Sequence, residues 1–208
     1  MLLAANLQAA GAKCPQVRSN FYSPAPYPED EAYRQQVVQR LLERSLPLGP
    51  LQTAVDAAAD LFRVRYAAMT LLDDARQWLP ARHGLDVDFT SRAVAFCGHT
   101  IHADAPMIVK DARVDERFAG NPLVIGAAEI RSYVGIRLMV SGAAVGALCV
   151  LNDAPLPEVP SERIDQLREL ASGVARALED RLKVQVGPSG TSDASSIVRL
   201  AYRGNDNA

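Results

Sequence analysis

The sequence predicts an α+β fold, in which an antiparallel sheet carries helices on one face and a loop-rich, ligand-facing insert on the other. Helical periodicity occurs near both ends of the chain, and the short apolar segments between them come in pairs joined by turn residues. A length of 208 residues with 49% apolar residues suffices for one domain core. We therefore expect a single domain at 29–185, a partly flexible arm at 1–28 and a flexible tail at 186–208.

Two helices are predicted at the start of the domain. Acidic residues directly after Pro28 favour a helix start, and Tyr33, Val37 and Leu41 recur at helical spacing. The segment LPLGP breaks this helix after about Ser45, and its proline at position 50 suits the first turn of a second helix. The pattern predicts a helical hairpin.

Four apolar segments are predicted to form two strand hairpins. VRYAAMTLLD is a buried strand that stops at Asp73, and RQWLPARHG is its partner. Pro80 has no amide hydrogen, which places the second strand at a sheet edge. VGIRLMV and AAVGALCVL flank Ser141 and Gly142, a pair that suits a tight turn between two central strands.

Residues 84–133, between the two hairpins, show little regular periodicity. Loops of this length in a compact domain are usually functional or disordered. The apolar content of this insert argues against disorder, so we expect the insert to form the ligand-facing region.

Composition excludes several classes of partner. Lys and Arg total 22 against 24 for Asp and Glu, so the formal charge of −2 provides no attraction to nucleic acid or to an anionic membrane. Cys14, Cys97 and Cys149 are odd in number and widely spaced, which predicts reduced thiols and a cytoplasmic location. The N-terminus does not have the pattern of a signal peptide, and we find no apolar run of the length that a membrane helix needs.

The stretch FCGHTI brings a thiol close to an imidazole. Cys97 and His99 could act as nucleophile and base, because a histidine partner can depress the pKa of a thiol. Two positions apart, however, they share a face only in an extended segment. The favoured alternative is structural: Phe96 and Ile101 anchor the core, Cys97 is a small buried residue, and His99 hydrogen-bonds within the insert.

A metal site is a further alternative for this stretch. Cys97, His99 and His102, with His83 as a fourth ligand, would suit zinc. Short Cys and His clusters arise easily by chance, and we predict no metal here.

The segment DARVDERFAGNPLV carries the densest polar chemistry of the insert. Its side chains could orient a polar ligand while two apolar residues exclude water. The alternative is a turn in which Asp111 and Asn121 bind backbone amides and Asp115 pairs with Arg113 or Arg117. The residues with a candidate ligand role are Asp111, Asp115, Arg117, Asn121, Phe118 and Leu123.

Arg131 and Tyr133 lie two residues apart at a predicted strand start and therefore share a face. Arg131 could bind an anion and Tyr133 could stack on a ring. An arginine at a strand start is more often a solvated flank.

Three blocks occur in order: SRAVAFCGHTI, MIVKDARVDERFAGNPLV and IRSYVGIRLMVSGAAVGALCVLND. Together they resemble the GAF domain family, in the subgroup attached to bacterial diguanylate cyclases and histidine kinases, over about 30–182. The resemblance implies a five- or six-stranded antiparallel sheet, a helical layer that often dimerises, and a small-molecule pocket on the opposite face. It implies a bacterial sensor of small molecules and leaves the ligand open.

The motifs limit which cofactors and which activities the family resemblance supports. The NKxxFxxxDE pattern of members that bind cyclic nucleotides is absent, and Cys97 and Cys149 lie in blocks common to members without a bilin. Neither cyclic nucleotide nor bilin is supported, and the cofactor is unknown. NDAPLPEVPSER also lacks the Pro-Arg pair of relatives. We expect no catalysis. One alternative is a thiol redox enzyme that uses Cys97, like the free methionine sulfoxide reductases, although the cysteine blocks of those enzymes do not match this sequence. The other alternative is a purely structural dimerisation module.

The last predicted helix, from Pro160, has an apolar seam of Ile164, Leu167, Ala171, Val174 and Leu178. The seam could pack on the sheet, or it could form a homodimer with its equivalent and with the first helix, which we favour. After residue 187 the sequence leaves no room for a kinase or cyclase, so we expect either a signalling enzyme that acts as a partner in trans or a protein whose whole contribution is ligand binding. The residues expected to bind ligand are Phe96, Cys97, His99, Asp111, Arg117, Phe118, Asn121, Arg131 and Tyr133.

Overall fold

A computed structural model describes residues 22–183 of the protein. Within them the elements in chain order are α1 (Glu31–Leu42), α2 (Leu48–Phe62), β1 (Tyr66–Leu72), β2 (Arg76–His83), β3 (Phe89–Ser91), a 3₁₀ turn (Arg92–Val94), α3 (Phe96–Thr100), β4 (Met107–Val109), α4 (Pro122–Ile125), β5 (Ser132–Val140), β6 (Ala143–Asn152) and α5 (Ser161–Lys183). The predicted tail and most of the predicted arm lie outside the described residues. No helix in the described part of the chain is long and apolar enough to cross a membrane.

The strands form one six-stranded sheet in the order β3-β2-β1-β6-β5-β4, with every neighbouring pair antiparallel. This confirms the predicted α+β architecture and both hairpins. Ser141 and Gly142 have φ angles of 49° and 77°, so the β5–β6 turn uses the left-handed conformation that a two-residue hairpin requires. The hairpin thereby fixes β5 and β6 as central partners.

Pro80 lies where β2 has no strand on its outer side. The edge strand β3 pairs with β2 only from Arg76 to Trp78, and the β1–β2 register shifts between Met69 and Leu71, opposite the proline. Because a proline cannot donate to a strand ladder, the bulge and the short edge strand accommodate it. The edge strand is β3 and not β2, so the expectation of an edge holds only locally, at Pro80, beyond the end of the β3 pairing.

The helical face of the sheet is covered by α1, α2 and α5. The seam of α5 lies inside the domain: Leu167, Ala171, Val174 and Leu178 are buried, and they pack on the sheet and on α2 rather than being free for a partner helix. Val37 and Leu41 of α1 are buried in the same core. Of the two interpretations of the seam, packing within the chain is the one observed, because the apolar stripe of α5 faces the sheet and α2.

The insert contains more regular structure than the sequence predicts. It includes β3, the 3₁₀ turn, α3, β4 and α4, each of three to five residues. Elements of this length span little more than one period of the apolar pattern, which is too short for a repeat to be recognised in the sequence.

Residues 22–28, the described end of the predicted arm, lie against the insert. Ser23 donates its amide to the carbonyl of Arg117, and Nε2 of His99 lies 3.0 Å from the carbonyl oxygen of Ser23. Nε2 of His102 lies 3.0 Å from the carbonyl oxygen of Pro26. Two imidazoles thus hold this segment to α3 and the turn after it.

A buried charged cluster joins the helices to the sheet at the start of α1. Glu31 accepts hydrogen bonds from Arg34 at 2.7 and 2.9 Å and from Arg92 at 2.5 and 3.3 Å. Arg34 also donates to the carbonyl of Leu72, and Arg92 to that of Asp73, both at 2.6 Å. Two buried cations therefore share one carboxylate and the end of β1.

Candidate functional site

A cavity of about 310 Å³ lies between the insert and the sheet, on the face opposite the helices. This volume is at the lower end of the range for small-molecule sites. Its lining residues are Tyr66, Ala68, Thr70, Gln77, Leu79, Gly84, Leu85, Asp86, Val87, Thr90, Phe96, Cys97, Leu123, Ala128, Ile130, Tyr133, Cys149 and Leu151. The predicted insert and the predicted sheet therefore enclose a space between them.

Strand alternation supplies the floor of the cavity. Ala68 and Thr70 on β1 line it, whereas Met69 and Leu71 between and beside them belong to the helix-side core. Cys149 on β6 faces the cavity by the same alternation. Because successive side chains of a strand point to opposite faces, each strand serves both sides of the sheet.

The insert supplies the roof and the mouth. Phe96 and Cys97 reach the cavity from α3, and Leu123 and Ile130 reach it from α4 and the segment before β5. The loop at residues 84–87 forms the rim and is mostly exposed. The opening of the cavity therefore lies at the end of β2.

The three aromatic residues among those predicted to bind ligand stack into a column beside the cavity. The rings of Phe96 and Phe118 are parallel within 8°, with centroids 4.0 Å apart, and Tyr133 stacks on Phe96 at 5.4 Å. His99 meets the edge of Phe118, and the guanidinium of Arg117 lies 4.9 Å from the Phe118 ring centroid. The column extends from the cavity wall to the outer part of the insert.

Gly135 allows Tyr133 to lie flat along the sheet. A Cβ atom at position 135 would lie 2.1 Å from Oη of Tyr133 and 2.6 Å from its Cζ, distances that van der Waals repulsion forbids. The glycine in β5 therefore sets the direction in which the tyrosine hydroxyl points.

We call Thr100, Tyr133, Cys97 and Cys149 the thiol cluster. Oη of Tyr133 donates to Sγ of Cys97 at 3.3 Å, and the two sulfur atoms are 3.7 Å apart. Because Tyr133 has a single proton, Thr100 is the donor in the 2.6 Å contact between their oxygens. Cys149 donates to the carbonyl of Ala68 at 3.5 Å. Cys97 and Cys149 are both free, and Cys14 lies outside the described residues.

Burial and hydrogen bonding separate the pKa values of this cluster. Burial opposes ionisation of Cys97, but its hydrogen-bonding interactions with Cys149, Thr70 and Tyr133 outweigh burial and lower the pKa of Cys97. The hydrogen bond to Cys97, together with burial, raises the pKa of Cys149. Burial also raises the pKa of Tyr133. Cys97 is therefore the more acidic of the two thiols.

Gln77 is the polar residue of the cavity wall whose bonding is incomplete. Its Nε2 donates to Oγ1 of Thr90 on the neighbouring strand at 3.2 Å, while its Oε1 is buried without a hydrogen-bond partner in the part of the chain that the structure describes. The residue is 8% exposed. A buried acceptor without a partner is unfavourable by about 1–3 kcal/mol, so this amide is suited to a group that enters the cavity.

The charge of the lining is sparse and negative. Asp86 at the exposed rim carries the charge, and no Lys, Arg or His from residues 22–183 is in the lining. An anion would find no counter-charge in this cavity.

Six of the nine residues predicted to bind ligand lie outside the cavity lining, whereas Phe96, Cys97 and Tyr133 lie in it. His99 is bound to the arm, and burial lowers its pKa. Phe118 supports Phe96 from behind. Asp111, Arg117, Asn121 and Arg131 are the other four.

Those four polar residues stabilise turns of the insert. Asp111 accepts from the amide and side chain of Arg113, and Asp115 pairs with Arg117 at 2.8 Å. Asn121 accepts from the amide of Leu123 at 2.8 Å. These contacts are those of the turn-forming alternative. A direct ligand contact by these residues stays a prediction.

Arg131 likewise forms hydrogen bonds with neighbouring residues of the insert. It donates to the carbonyl of Val124 at 2.7 Å and to Glu129 at 2.9 Å. Its guanidinium fastens the segment before β5, two residues from Tyr133, which does reach the cavity.

Cys97 and His99 do not form a nucleophile and base pair in this structure. FCGHT is the helix α3, and residues two apart on a helix point in different directions. Cys97 faces Cys149 and Tyr133, whereas His99 faces Ser23. Catalysis by this pair would require an extended segment, and the segment is helical.

The candidate zinc ligands are also dispersed. His83 lies 2.9 Å from Asp56 on the helical side, and His99 and His102 face carbonyl oxygens of the arm. Among residues 22–183 no group of three or more His, Cys, Asp or Glu side chains could hold a metal ion.

The sequence reasoning did not identify Gln77, Leu79 and Thr90 as wall residues. The signal was present in RQWLPARH: positions 77 and 79 share a face that Leu79 marks as buried, which leaves Gln77 as a polar residue pointing inward. Thr70 gives the same kind of signal, because it is a small polar residue between Met69 and Leu71 in an apolar strand.

The six-stranded sheet, the helical layer on one face and the insert on the other define a small α+β domain. The GAF domain family model matches residues 49–178, more than half of the chain, and the protein belongs to this family.

Among known proteins, the chain is 35% identical over 155 residues to a cyclic di-GMP phosphodiesterase of Pseudomonas aeruginosa. The match covers 70% of this chain and 25% of the relative, so the chain spans about a quarter of that protein.

Solved structures share the fold at low sequence identity. The GAF domain of an Acinetobacter phosphoenolpyruvate-protein phosphotransferase has a TM-score of 0.56 at 21% identity, covering 74% of this chain and 95% of that one. The PixJ GAF domain of Thermosynechococcus elongatus has a TM-score of 0.53 at 13% identity, covering 86% and 100%. A free methionine-R-sulfoxide reductase of Neisseria meningitidis has a TM-score of 0.52 at 14% identity, covering 74% and 93%.

Proposed function

We propose that the protein is a non-catalytic sensory domain that binds a small molecule in the cavity between sheet and insert. The observation that carries the proposal is the cavity itself, walled by apolar side chains from β1, β2, β6 and α3 with few polar groups. Such a lining is characteristic of small-molecule sites. A purely structural dimerisation module would instead be expected to fill this space with side chains.

Occupancy of the cavity would be communicated to the helices through the sheet. Cys149 and Leu151 of β6 face the cavity, while Leu148 and Val150 between and beside them pack in the core that α2 and α5 share. A ligand with different affinities for two positions of these strands would shift the helical layer. This arrangement supports signalling to a partner enzyme.

The relative from Pseudomonas aeruginosa supports placing the domain in cyclic di-GMP signalling. The match covers a quarter of that relative, and we infer that the shared region has a regulatory rather than hydrolytic role. The proposed partner is an enzyme of cyclic dinucleotide turnover that is regulated in trans.

We also propose a homodimer, but through a different surface from the α5 seam that the sequence suggested. Because the inward seam of α5 is occupied, a dimer would use the outward sides of α2 and α5, where Ala54, Ala57, Gly173 and Ala177 line a shallow groove. Small residues permit close approach of helices. Light scattering after gel filtration tests the dimer, and a monomer at high micromolar concentration would contradict it.

A thermal-shift screen of metabolites and nucleotides against the full chain tests the sensory proposal. A ligand at a hundredfold excess over its Kd should stabilise the fold by about 2.7 kcal/mol. Ala68→Leu should abolish every shift, because the added carbons enter the cavity. Ala67→Val is the matched control, since Ala67 is buried on the opposite face of the same strand. A library without a single shift, while the fold stays intact, would overturn the proposal.

The thiol cluster favours a second candidate function, a thiol redox activity. The sulfur atoms of Cys97 and Cys149 are 3.7 Å apart in the cavity wall, and Cys97 is the more acidic. The Cys97 thiolate would attack a hydroperoxide, releasing an alcohol and leaving a sulfenic acid. The Cys149 thiol would then displace water to form a disulfide, which an external dithiol reduces by exchange.

Mass spectrometry after peroxide treatment tests this candidate. The Cys97–Cys149 disulfide should appear as a mass loss of two hydrogens per chain, and neither Cys97→Ser nor Cys149→Ser should form it. If alkylation after unfolding finds both thiols still reduced, the redox candidate is wrong and the sensory proposal stands.

A further inference from the structure

The orphaned acceptor of Gln77 indicates the chemistry of the cavity's ligand. Oε1 of Gln77 is buried without a partner in the described residues, and the residue lies in the cavity wall. Most buried polar groups in folded proteins have a partner, and an exception in a cavity wall has a natural explanation in a missing ligand.

Two neighbouring strands hold this amide in place. Gln77 is paired with Thr90 of β3 on one side and with Leu72 of β1 on the other. The hydrogen bond from Nε2 to Oγ1 of Thr90 uses the donor end of the amide and leaves the acceptor end unpaired. The acceptor is therefore fixed before any ligand arrives, which reduces the entropic cost of binding.

Two other polar groups of the wall, the hydroxyls of Thr70 and Tyr133, are already engaged. The hydroxyl of Thr70 donates to the carbonyl of Ala147 and accepts from its amide, both at 3.2 Å. Tyr133 is bonded to Thr100 and Cys97. These groups have less capacity for a ligand than Gln77.

Size and charge limit the ligand further. A volume of about 310 Å³ corresponds to about ten water molecules at their liquid volume. The lining contains no cationic side chain among the described residues, and Asp86 adds one carboxylate at the rim. A phosphate or carboxylate ligand would lose its hydration without gaining a counter-charge.

We propose that the cavity binds a compact, mainly apolar, neutral or cationic molecule that donates a hydrogen bond from an N–H or O–H group to Oε1 of Gln77. This inference rests on the proposed sensory function and specifies its ligand class. Anionic nucleotides fall outside this class, including cyclic dinucleotides.

Indole and benzofuran are suitable probes, because they have the same shape and differ in a ring N–H against a ring oxygen. Indole should bind the full chain about tenfold more tightly than benzofuran, the effect of one hydrogen bond to a buried acceptor. In Gln77→Leu the ratio of the two affinities should fall to about one, because the acceptor is gone. Calorimetric titration measures both affinities.

Two further arms complete the test. Tryptamine should bind more tightly than indolepropionate, and Asp86→Asn should reduce that preference. Thr90→Val retains the acceptor but frees the amide, so the preference for indole should diminish without vanishing.

The outcomes separate this inference from the function on which it rests. If indole and benzofuran bind equally, or if benzofuran binds more tightly, the donor assignment is wrong while cavity binding stands. If both bind and the ratio is unchanged in Gln77→Leu, another group selects the donor and the assignment to Gln77 is wrong. If neither binds and the metabolite library also fails, the proposed function falls, and the inference falls with it.

Discussion

The two faces of the sheet are built from the same strands and are packed differently. The helical face contains a large cluster of buried residues dominated by Leu, Val and Ala from β1, β5, β6, α1, α2 and α5. The cavity face contains aromatic rings, two thiols and an open space. One face is filled with aliphatic side chains, and the other keeps a volume that its side chains do not fill.

This difference shows how one sheet separates tight packing on one face from an open cavity on the other. Aliphatic packing against long helices maximises the apolar area removed from water. A wall of rings and short polar groups gives up part of that area in exchange for a shaped site. Period-two alternation lets both requirements be met by neighbouring residues, so a substitution at one position should affect one face and spare the other.

Leu148→Ala should have the largest effect on stability, because it removes packing from the filled face of the sheet. Leu148 is fully buried on the helical face of the central strand β6, and its truncation leaves a cavity there. We expect a loss of about 3–5 kcal/mol of unfolding free energy. Leu79→Ala on the cavity face is the matched control and should lose about half as much, since one side of Leu79 already borders open space. Urea denaturation measures both, and equal losses would contradict the distinction between the faces.

Glu31 links the two faces of the sheet, because its carboxylate pairs with Arg34 of the helical layer and with Arg92 of the insert. Burial opposes its ionisation, but hydrogen bonds from Arg34 and Arg92 outweigh burial and lower its pKa from 4.5 to about 2. Since the folded-state pKa is depressed, the carboxylate's contribution is fully present above pH 4.5 and is lost as the pH falls towards 2.

Glu31→Gln should therefore destabilise the domain at neutral pH by about 2–3 kcal/mol, because two buried cations lose their partner. The difference between wild type and variant should shrink on acidification towards pH 2. Thermal unfolding at a series of pH values provides the measurement. A difference that stays constant from neutral pH down to pH 2 would contradict the assigned role.

Gly135→Ala should disturb the cavity face and leave the helical face packed. The new Cβ would overlap the Tyr133 ring, so the ring must move and the bond to Cys97 must break. We expect a loss of about 1–3 kcal/mol from this overpacking. In a Tyr133→Leu background the same change should cost clearly less. A double-mutant cycle with both variants measures the coupling, and additive losses would show that the ring and the glycine do not interact.

Gln77→Leu should have the smallest effect and the opposite sign. It removes a buried acceptor that has no partner in residues 22–183, so the unliganded protein should gain about 1 kcal/mol of unfolding free energy. Gln35→Leu on the outer side of α1 is a control in which no gain is expected, because Gln35 already donates to Glu31. A loss of stability in Gln77→Leu would show that its Oε1 is satisfied in solution.

The fold was largely predictable from the sequence, because its signals are periodic. The apolar stripe of α5 and the hairpin around Ser141 and Gly142 correspond to observed elements, although the stripe packs within the chain and not in the favoured dimer contact. The six-stranded sheet confirms the architecture implied by the family resemblance.

The site was predictable only in part, because a cavity forms where side chains from distant parts of the chain leave a space unfilled, and local sequence patterns do not show this. Phe96, Cys97 and Tyr133 were identified through the insert and the strand start, and they line the cavity. The polar residues 111–121 were given a ligand role from their chemistry, but short-range geometry satisfies Asp111 and Asn121 within two residues in sequence. Such local bonds compete with ligand binding wherever Asx residues precede a turn.

The arm at residues 22–28 gives the cavity a mechanical connection to the chain before it. His99 and His102 hold the carbonyl groups of Ser23 and Pro26, and the helix that contains His99 also carries Phe96 and Cys97 into the cavity wall. A force applied to the backbone at residue 22 would act on the contacts of Ser23 with Arg117 and His99, then on the contact of Pro26 with His102, and through His99 on that wall. Tension along the chain and occupancy of the cavity would therefore act on the same short helix, and each could change the response to the other.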